Sequence, residues 1–261
     1  FVMRYLLLLI LIFSFVHTGA QQQSQSRFRI GIEYGSYKMA GEINDQWEFR
    51  QVKTRYVTQE DQTGSEHVKG EGEVYYAGLK SELSVWENRL TLTSGIRYSR
   101  VNERISPSWD APLYLFHPSD QGIELFRVRG MNESLGYVGV PLEADFLLWG
   151  RLSNWQGYVK AGIQAGMKIH GKTTIDFASK EMEKYGDEII TAAGKAPSNF
   201  LLNTYGGLGL RLILNNGIRL SIEALFPQHF LTKDNFSLLA SESYGGAQLS
   251  VSLPVNLFSM K

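Results

Sequence analysis

Eight stretches of this sequence alternate apolar with polar residues one by one, which is the pattern of a β-strand whose two faces differ. They lie at about residues 27–38, 70–86, 89–105, 134–149, 154–170, 199–214, 217–228 and 243–257. Most reach the about 9–11 residues with which a tilted strand crosses hydrocarbon. After residue 20, no apolar run is long enough for a membrane helix, which needs about 20 residues. If this chain spans a bilayer, it must therefore do so as a closed barrel of strands.

The connections between these stretches are short and long in turn. Three are tight turns, at residues 87–88, 150–153 and 215–216, and four are long links, at about residues 39–69, 106–133, 171–198 and 229–242. Short periplasmic turns and long external loops are typical of outer-membrane barrels. The sequence thus predicts an all-β fold: an eight-stranded antiparallel up-and-down transmembrane β-barrel with short periplasmic turns and long extracellular loops.

The two faces of the predicted strands carry different side chains. In the fourth stretch, Val138 and Leu142 lie on the face opposite Glu143 and Asp145. A barrel of eight strands is just filled by its inward side chains, and buried charges are tolerated when they are paired. We therefore predict a lumen plugged by side chains rather than a pore, although a soluble sheet that buries its apolar face would show the same alternation. The predicted lumen charges are Arg29, Lys80, Arg97, Lys160, Lys168, Arg211 and Arg219 with Glu33, Glu82, Glu143, Asp145 and Glu223.

The first twenty residues have the layout of a secretory signal peptide. Arg4 precedes an apolar run at residues 5–16, and small residues precede the polar start at Gln21. These are the features of a leader that is cleaved on secretion. We predict that residues 1–20 are removed and that residues 21–261 form a single outer-membrane β-barrel domain. The alternative is an N-terminal membrane anchor, for which the apolar run is short.

Three glycine-containing motifs resemble a known family. They are Tyr137-Val138-Gly139-Val140-Pro141-Leu142, Tyr158-Val159-Lys160-Ala161-Gly162-Ile163-Gln164-Ala165-Gly166 and Tyr205-Gly206-Gly207-Leu208-Gly209-Leu210. With them, residues 27–257 resemble the outer-membrane β-barrel domain family common in Bacteroidetes, which includes PorT-like proteins. The resemblance implies a location in the outer membrane of a Gram-negative bacterium and assembly by the barrel-insertion machinery. It implies no single activity, because family members of this size include components of protein-secretion systems.

Composition excludes several classes of site. The chain has 26 Lys+Arg against 26 Asp+Glu, whereas nucleic-acid-binding domains are usually strongly basic, so we expect no nucleic-acid partner. The absence of cysteine excludes a disulfide scaffold, a cysteine-ligated zinc site and a thiol nucleophile. The histidines lack the spacing that places metal ligands on one helix face. No metal or other cofactor is predicted.

The best catalytic candidates are His117 and Ser119, in the long link at 106–133. Some small outer-membrane barrels are lipid A acylases or deacylases with His and Ser at the rim, and a serine nucleophile needs a base within hydrogen-bond reach. Pro118, between them, makes the stretch equally compatible with a turn. A match this short arises easily by chance, so we favour a protein that is not an enzyme.

Our interpretation is a small non-enzymatic barrel that acts as a structural, binding or accessory component of an envelope complex. Long loops on a rigid scaffold are where binding usually occurs. We expect contact with outer-membrane lipid or lipopolysaccharide, with the barrel-assembly machinery during biogenesis, and with an envelope protein. Two alternatives stay open: an outer-membrane lipid-modifying enzyme, and a soluble secreted lipocalin-like barrel that binds a ligand in its interior.

Overall fold

The structure is a computed structural model. It describes residues 27–45, 47–51, 68–86, 89–107, 112–119, 122–150, 153–194, 196–232 and 236–255. The predicted signal peptide, residues 1–20, lies outside the described residues. The elements are β1 (Phe28–Ile43), β2 (Phe49–Gln51), β3 (Val68–Val85), β4 (Leu90–Pro107), β5 (Leu113–Ser119), β6 (Gly122–Trp149), β7 (Trp155–Phe177), a 3-10 helix (Lys180–Tyr185), α1 (Gly186–Ala192), β8 (Phe200–Ile213), β9 (Arg219–Leu225), β10 (His229–Phe230) and β11 (Leu239–Pro254). In this part of the chain, neither helix has the length and apolar character needed to cross a membrane.

Eight of these strands close into a ring. Its order is β1, β3, β4, β6, β7, β8, β9 and β11, and β11 pairs back to β1. Every pair in the ring is antiparallel. The predicted eight-stranded antiparallel up-and-down β-barrel is therefore confirmed, and each predicted stretch falls on one ring strand. Closure pairs the edges that an open sheet would expose.

The short connections all lie at one end of the ring, which we call the turn end. They join β3 to β4, β6 to β7 and β8 to β9. Gly150 and Gly217 take positive φ values of 89° and 79° in the second and third of them. This left-handed conformation costs glycine little, which explains why these two positions can turn the chain so sharply.

Two of the predicted long links are largely regular structure. β6 has 28 residues and β7 has 23, so both strands continue beyond the ring at its other end, the loop end. β5 pairs with the first residues of β6, and β2 pairs with β5. In this extension Phe126 and Val128 alternate with Arg127, as in a strand. The extension was not predicted because a strand needs fewer residues than this to cross a bilayer.

The ring strands turn apolar side chains outward and polar side chains inward. The outer wall is apolar on all eight strands, and we call this surface the apolar belt. Its exposed aliphatic residues include Ile30, Ile32, Leu79, Leu83, Leu92, Ile96, Val138, Val140, Leu142, Ile163, Met167, Leu208, Leu210, Ile222, Leu249, Val251 and Leu253. Exposed aromatic residues border the belt, with Trp86, Phe146, Trp149 and Trp155 at the turn end and Tyr34, Tyr75, Tyr98 and Tyr244 at the loop end. A contiguous exposed apolar surface of this kind marks an interaction surface.

Candidate functional site

The centre of the lumen is occupied by Arg97, which is completely buried. Its guanidinium donates from Nε to Glu33 and from Nη2 to Glu143, each over 2.6 Å. Its Nη1 donates to Gln164 at 3.1 Å and to the Tyr205 hydroxyl at 2.9 Å. A buried guanidinium is stable only when its fixed set of donors meets acceptors, and each nitrogen of Arg97 does so.

Lys160 links three acidic side chains next to this centre. Its Nζ lies 2.8 Å from Glu143, 2.7 Å from Glu223 and 3.9 Å from Asp145. Arg211 binds Asp145 in turn, at 2.7 Å. All of these side chains are buried, and each has a partner of opposite charge, which offsets the cost of removing it from water.

A third charged group lies near the turn end. Lys80 Nζ is 2.8 Å from Glu82, and Arg219 Nη1 is 3.4 Å from the same carboxylate. Arg29 donates to the backbone carbonyl of Gly217 in the turn between β8 and β9. Polar side chains thus fill the lumen from the turn end to its centre, as the sequence predicts.

Eleven of the twelve predicted lumen charges are buried in the ring. The exception is Lys168, which is half-buried and donates to the carbonyl of Pro197 at 2.6 Å. Two buried carboxylates, Glu103 and Glu133, lie outside the predicted set. Every second residue from Arg97 points inward, so the strand alternation could have predicted Glu103 as a lumen residue. Glu133 falls in a segment predicted to be a link, where no inward face is expected.

Glu103 and Glu133 bind a segment of chain inside the loop-end mouth of the barrel. This segment, residues 236–239, is buried throughout, and we call it the strap. Glu133 accepts hydrogen bonds from the Ser237 amide at 2.8 Å and from the Ser237 hydroxyl. Glu103 accepts from the Leu239 amide at 3.3 Å. Buried backbone amides need acceptors, so these two carboxylates fix the strap in place.

Beyond the strap, the loop-end extensions fold around an apolar core. Its buried members are Trp47, Phe49, Ile105, Leu113, Leu115, Phe126, Val128, Met131, Phe177, Ile189, Leu238 and Leu239. Trp47 Nε1 also donates to the carbonyl of Ser237 at 2.8 Å, and Asn44 Nδ2 donates to the carbonyl of Phe236 at 3.0 Å. We call this unit the cap. It has its own apolar core, so the loop end carries a packed unit joined to the strap.

A layer of aromatic and aliphatic residues, which includes Phe236 of the strap, lies between the central charges and the rest of the strap. Its buried members are Tyr37, Met39, Val74, Tyr76, Val101, Leu135, Tyr137, Leu201, Leu225 and Phe236. The Tyr76 hydroxyl donates to Gln248 at 2.5 Å, and the Arg97 guanidinium carbon lies 4.4 Å from the centre of the Tyr76 ring, a cation–π contact. Charged groups, this layer and the strap therefore follow one another along the lumen.

The catalytic candidates His117 and Ser119 lie at the end of β5. Their backbones pair with Glu124 and Gly122 of β6, so the stretch is a strand of a hairpin rather than a loop. Catalysis by these two residues stays the alternative to the predicted non-enzymatic protein. Within the described ranges, no group of three or more His, Asp and Glu side chains could hold a metal ion.

Comparison with known proteins gives similarity in structure alone. The sequence matches no protein-family model and no curated protein. The structure is similar to the translocator domain of the autotransporter NalP from Neisseria meningitidis, with 9% identity, a TM-score of 0.32, and coverage of 89% of this chain and 90% of that chain. It is also similar to the transport unit of the autotransporter AIDA-I from Escherichia coli, with 10% identity, a TM-score of 0.28 and 95% of each chain covered. Membership of the PorT-like group stays a prediction.

The absence of cysteine from the chain permits a direct test of the strap. We expect a cysteine in place of the completely buried Leu238 to react slowly with a water-soluble maleimide. Adding Glu133→Gln should speed labelling by about tenfold, because the strap loses charge-assisted hydrogen bonds. Leu231→Cys, at a position 54% exposed, is the control and should react fast in both backgrounds. Equal labelling of Leu238→Cys with and without Glu133→Gln would show that Glu133 does not fix the strap.

Proposed function

We propose that this chain is an integral barrel of the outer membrane of a Gram-negative bacterium, without enzymatic activity, that serves as a structural, binding or accessory component of an envelope complex. The observation that carries the proposal is the apolar belt, which is exposed on all eight ring strands. A soluble barrel buries its apolar face inside, whereas a membrane barrel turns that face to lipid. The proposal includes removal of residues 1–20 on secretion and insertion by the barrel-assembly machinery.

The height of the belt supports this location. On β6, the outward residues are apolar from Val138 to Leu148 and polar at Asn132. On β4, they are apolar from Leu90 to Tyr98 except for Ser94, and Arg100 follows. Both spans agree with the about 9–11 residues that a tilted strand needs to cross the hydrocarbon core.

The filled lumen supports a role other than conduction. Porins need a wide, water-filled interior, whereas here Arg97, Lys160 and their partners occupy the centre. The same charges argue against a lipocalin-like barrel, because an apolar ligand needs a largely apolar cavity. The cap offers a surface for an envelope protein, since loops on a rigid scaffold are where binding usually occurs.

Two measurements test this proposal. We expect full-length protein to fractionate with the outer membrane and to shift its SDS gel mobility on heating. In planar lipid bilayers, the purified protein should give no steady single-channel conductance, because paired side chains and the strap occupy the lumen. A soluble protein without a heat-dependent shift would overturn the membrane location. Steady conductance would overturn the proposed role while leaving the location intact.

A further inference from the structure

The outer wall changes character just beyond the loop-end edge of the apolar belt, where its charges divide into two sides. On β4, β6 and β7, the exposed Lys, Arg, His, Asp and Glu residues of the described chain are Arg100, Arg104, Arg127, Arg129, His170 and Lys172, with Asp176. On β11, β1 and β3 they are Glu42, Glu71, Glu73 and Glu242, with Lys38 and Lys69. Among the described side chains, one side of the wall is therefore basic and the other is acidic, although the chain as a whole has no net charge.

Three of the basic residues are brought together by strand register. Arg100 of β4 is paired with Gly136 of β6, and Gly136 is paired with His170 of β7. One step further along, Lys172 is paired with Ser134. We call Arg100, His170 and Lys172 the basic patch. They become neighbours because β6 presents only small side chains between β4 and β7 at this level.

The patch is shaped by its small neighbours. A Cβ atom at Gly136 would collide with the His170 imidazole and would lie 3.0 Å from the Tyr98 hydroxyl. Arg100 Nε donates to Asn102 and to Ser134, each at 3.2 Å. These bonds orient the guanidinium and leave its two Nη groups without an acceptor in the described chain. The patch therefore offers oriented cationic donors to the outside.

The nearest acidic side chain on the neighbouring strand is already engaged. Glu73 of β3 accepts a hydrogen bond from the Tyr75 hydroxyl. Within the described chain, neither Arg100 nor Lys172 forms an ion pair, whereas the more distant Arg129 lies 3.9 Å from Asp176. Among the described residues, no ion pair compensates the charge of Arg100 or Lys172.

The patch lies directly against the apolar belt. Tyr98 precedes Arg100 on the same outward face of β4, and Met167 and Ile169 precede His170 on β7. Val138 lies next to Gly136 on the outward face of β6. A ligand that covers both surfaces needs an anionic group joined to apolar chains, which is the chemistry of a lipid.

We propose that the basic patch binds the phosphate group of an outer-leaflet lipid, whose acyl chains lie on the adjoining belt residues of β6 and β7. Arg presents a planar fork to phosphate oxygens, and Lys provides a compact positive charge. The proposal rests on the proposed membrane location, because only there do belt and patch meet the two parts of a lipid. It assigns the lipid contact to one side of the barrel.

The test is lipid binding by the intact barrel in neutral detergent, followed by native mass spectrometry, which counts bound lipids. We expect lipid A to bind to the wild-type protein, and its dephosphorylated form to bind at least about tenfold more weakly. The variant Arg100→Gln/Lys172→Gln should bind lipid A more weakly by the same factor. The matched control, Lys38→Gln/Lys69→Gln, removes the same charge from the acidic side and should change binding less than about twofold.

Several outcomes would overturn this assignment. Unchanged binding by Arg100→Gln/Lys172→Gln, or equal binding of phosphorylated and dephosphorylated lipid, would remove the patch as a phosphate site. Displacement of lipid A by an equal concentration of inorganic phosphate would make it a site for a soluble anion instead. The heat-dependent gel shift is measured on the same samples. Its loss would count against the membrane location, whereas a normal shift without phosphate selectivity would count against the basic patch alone.

Discussion

Replacing Arg97 by methionine is expected to lower the free energy of unfolding by about 3–5 kcal/mol, because it breaks a buried ion pair by removing one partner. Arg97 is bound to Glu33 and Glu143, each over 2.6 Å, and all three side chains are buried. Without Arg97, Glu143 keeps Lys160 at 2.8 Å, but Glu33 keeps only the amide of Gln248 at 3.3 Å. The measurement is equilibrium urea unfolding of the protein in lipid vesicles.

Two further variants separate lost charge pairing from lost packing. Arg97→Met/Glu33→Gln also removes the negative charge of Glu33, which loses its ion pair when Arg97 is replaced. The double variant should therefore be more stable than Arg97→Met alone. Arg104→Gln changes an exposed arginine of β4 outside the basic patch and should shift stability by no more than about 0.5 kcal/mol. If the double variant is no more stable than Arg97→Met, then Arg97 does not stabilise the buried carboxylate of Glu33, and the ion pair between them is wrong.

Replacing Leu142 by arginine is expected to destabilise the membrane-inserted barrel by about 2–4 kcal/mol, because a charge in the middle of the lipid-facing wall must leave water. Leu142 is 56% exposed in the structure. In a water-soluble protein, an exposed position of this kind tolerates arginine with a change within about 0.5 kcal/mol. The variant therefore separates the two environments. The measurement is again unfolding in lipid vesicles, with the fraction of heat-shifted protein in cell membranes as a second readout.

The same strand provides the control for this change. Asn132 lies on the same outward face of β6 but beyond the loop-end edge of the belt. Asn132→Arg should cost only about 0–1 kcal/mol, since the cost of a charge falls near the interface. Equal effects of Leu142→Arg and Asn132→Arg would contradict a membrane boundary between these two positions.

The lumen illustrates how far sequence reasoning reaches into the site. Inward side chains recur every second residue, so Arg97, Glu143 and Lys160 are each predictable as lumen residues from their own strand alone. Which of them meet is not predictable in this way. Glu33 and Arg97 are bonded across 64 positions of chain, and that contact depends on strand order, strand tilt and register around the whole ring.

The loop-end extensions show the opposite case. Phe126 and Val128 alternate correctly for a strand, yet this segment follows a proline-containing stretch and its outward residues are charged. The outward residues of this segment do not form an apolar face long enough to cross a membrane, so its alternation predicts a link rather than a membrane strand. Burial in the cap explains the pattern, because β5, α1 and the strap cover the inward face.

By itself, the sequence determined the number of ring strands, their order along the chain, the alternation of short and long connections, and which face of each ring strand is apolar. These properties are local, because side chains of a strand alternate with a period of two and turns are set by a few residues. Only the tertiary structure decided how the strap meets Glu133, 104 positions away, and how Arg100 and His170 meet over Gly136. Contacts of this kind depend on register between distant strands, and a bulge between Gly136 and Tyr137 in the pairing of β6 with β7 sets that register here, which no local pattern in the chain specifies.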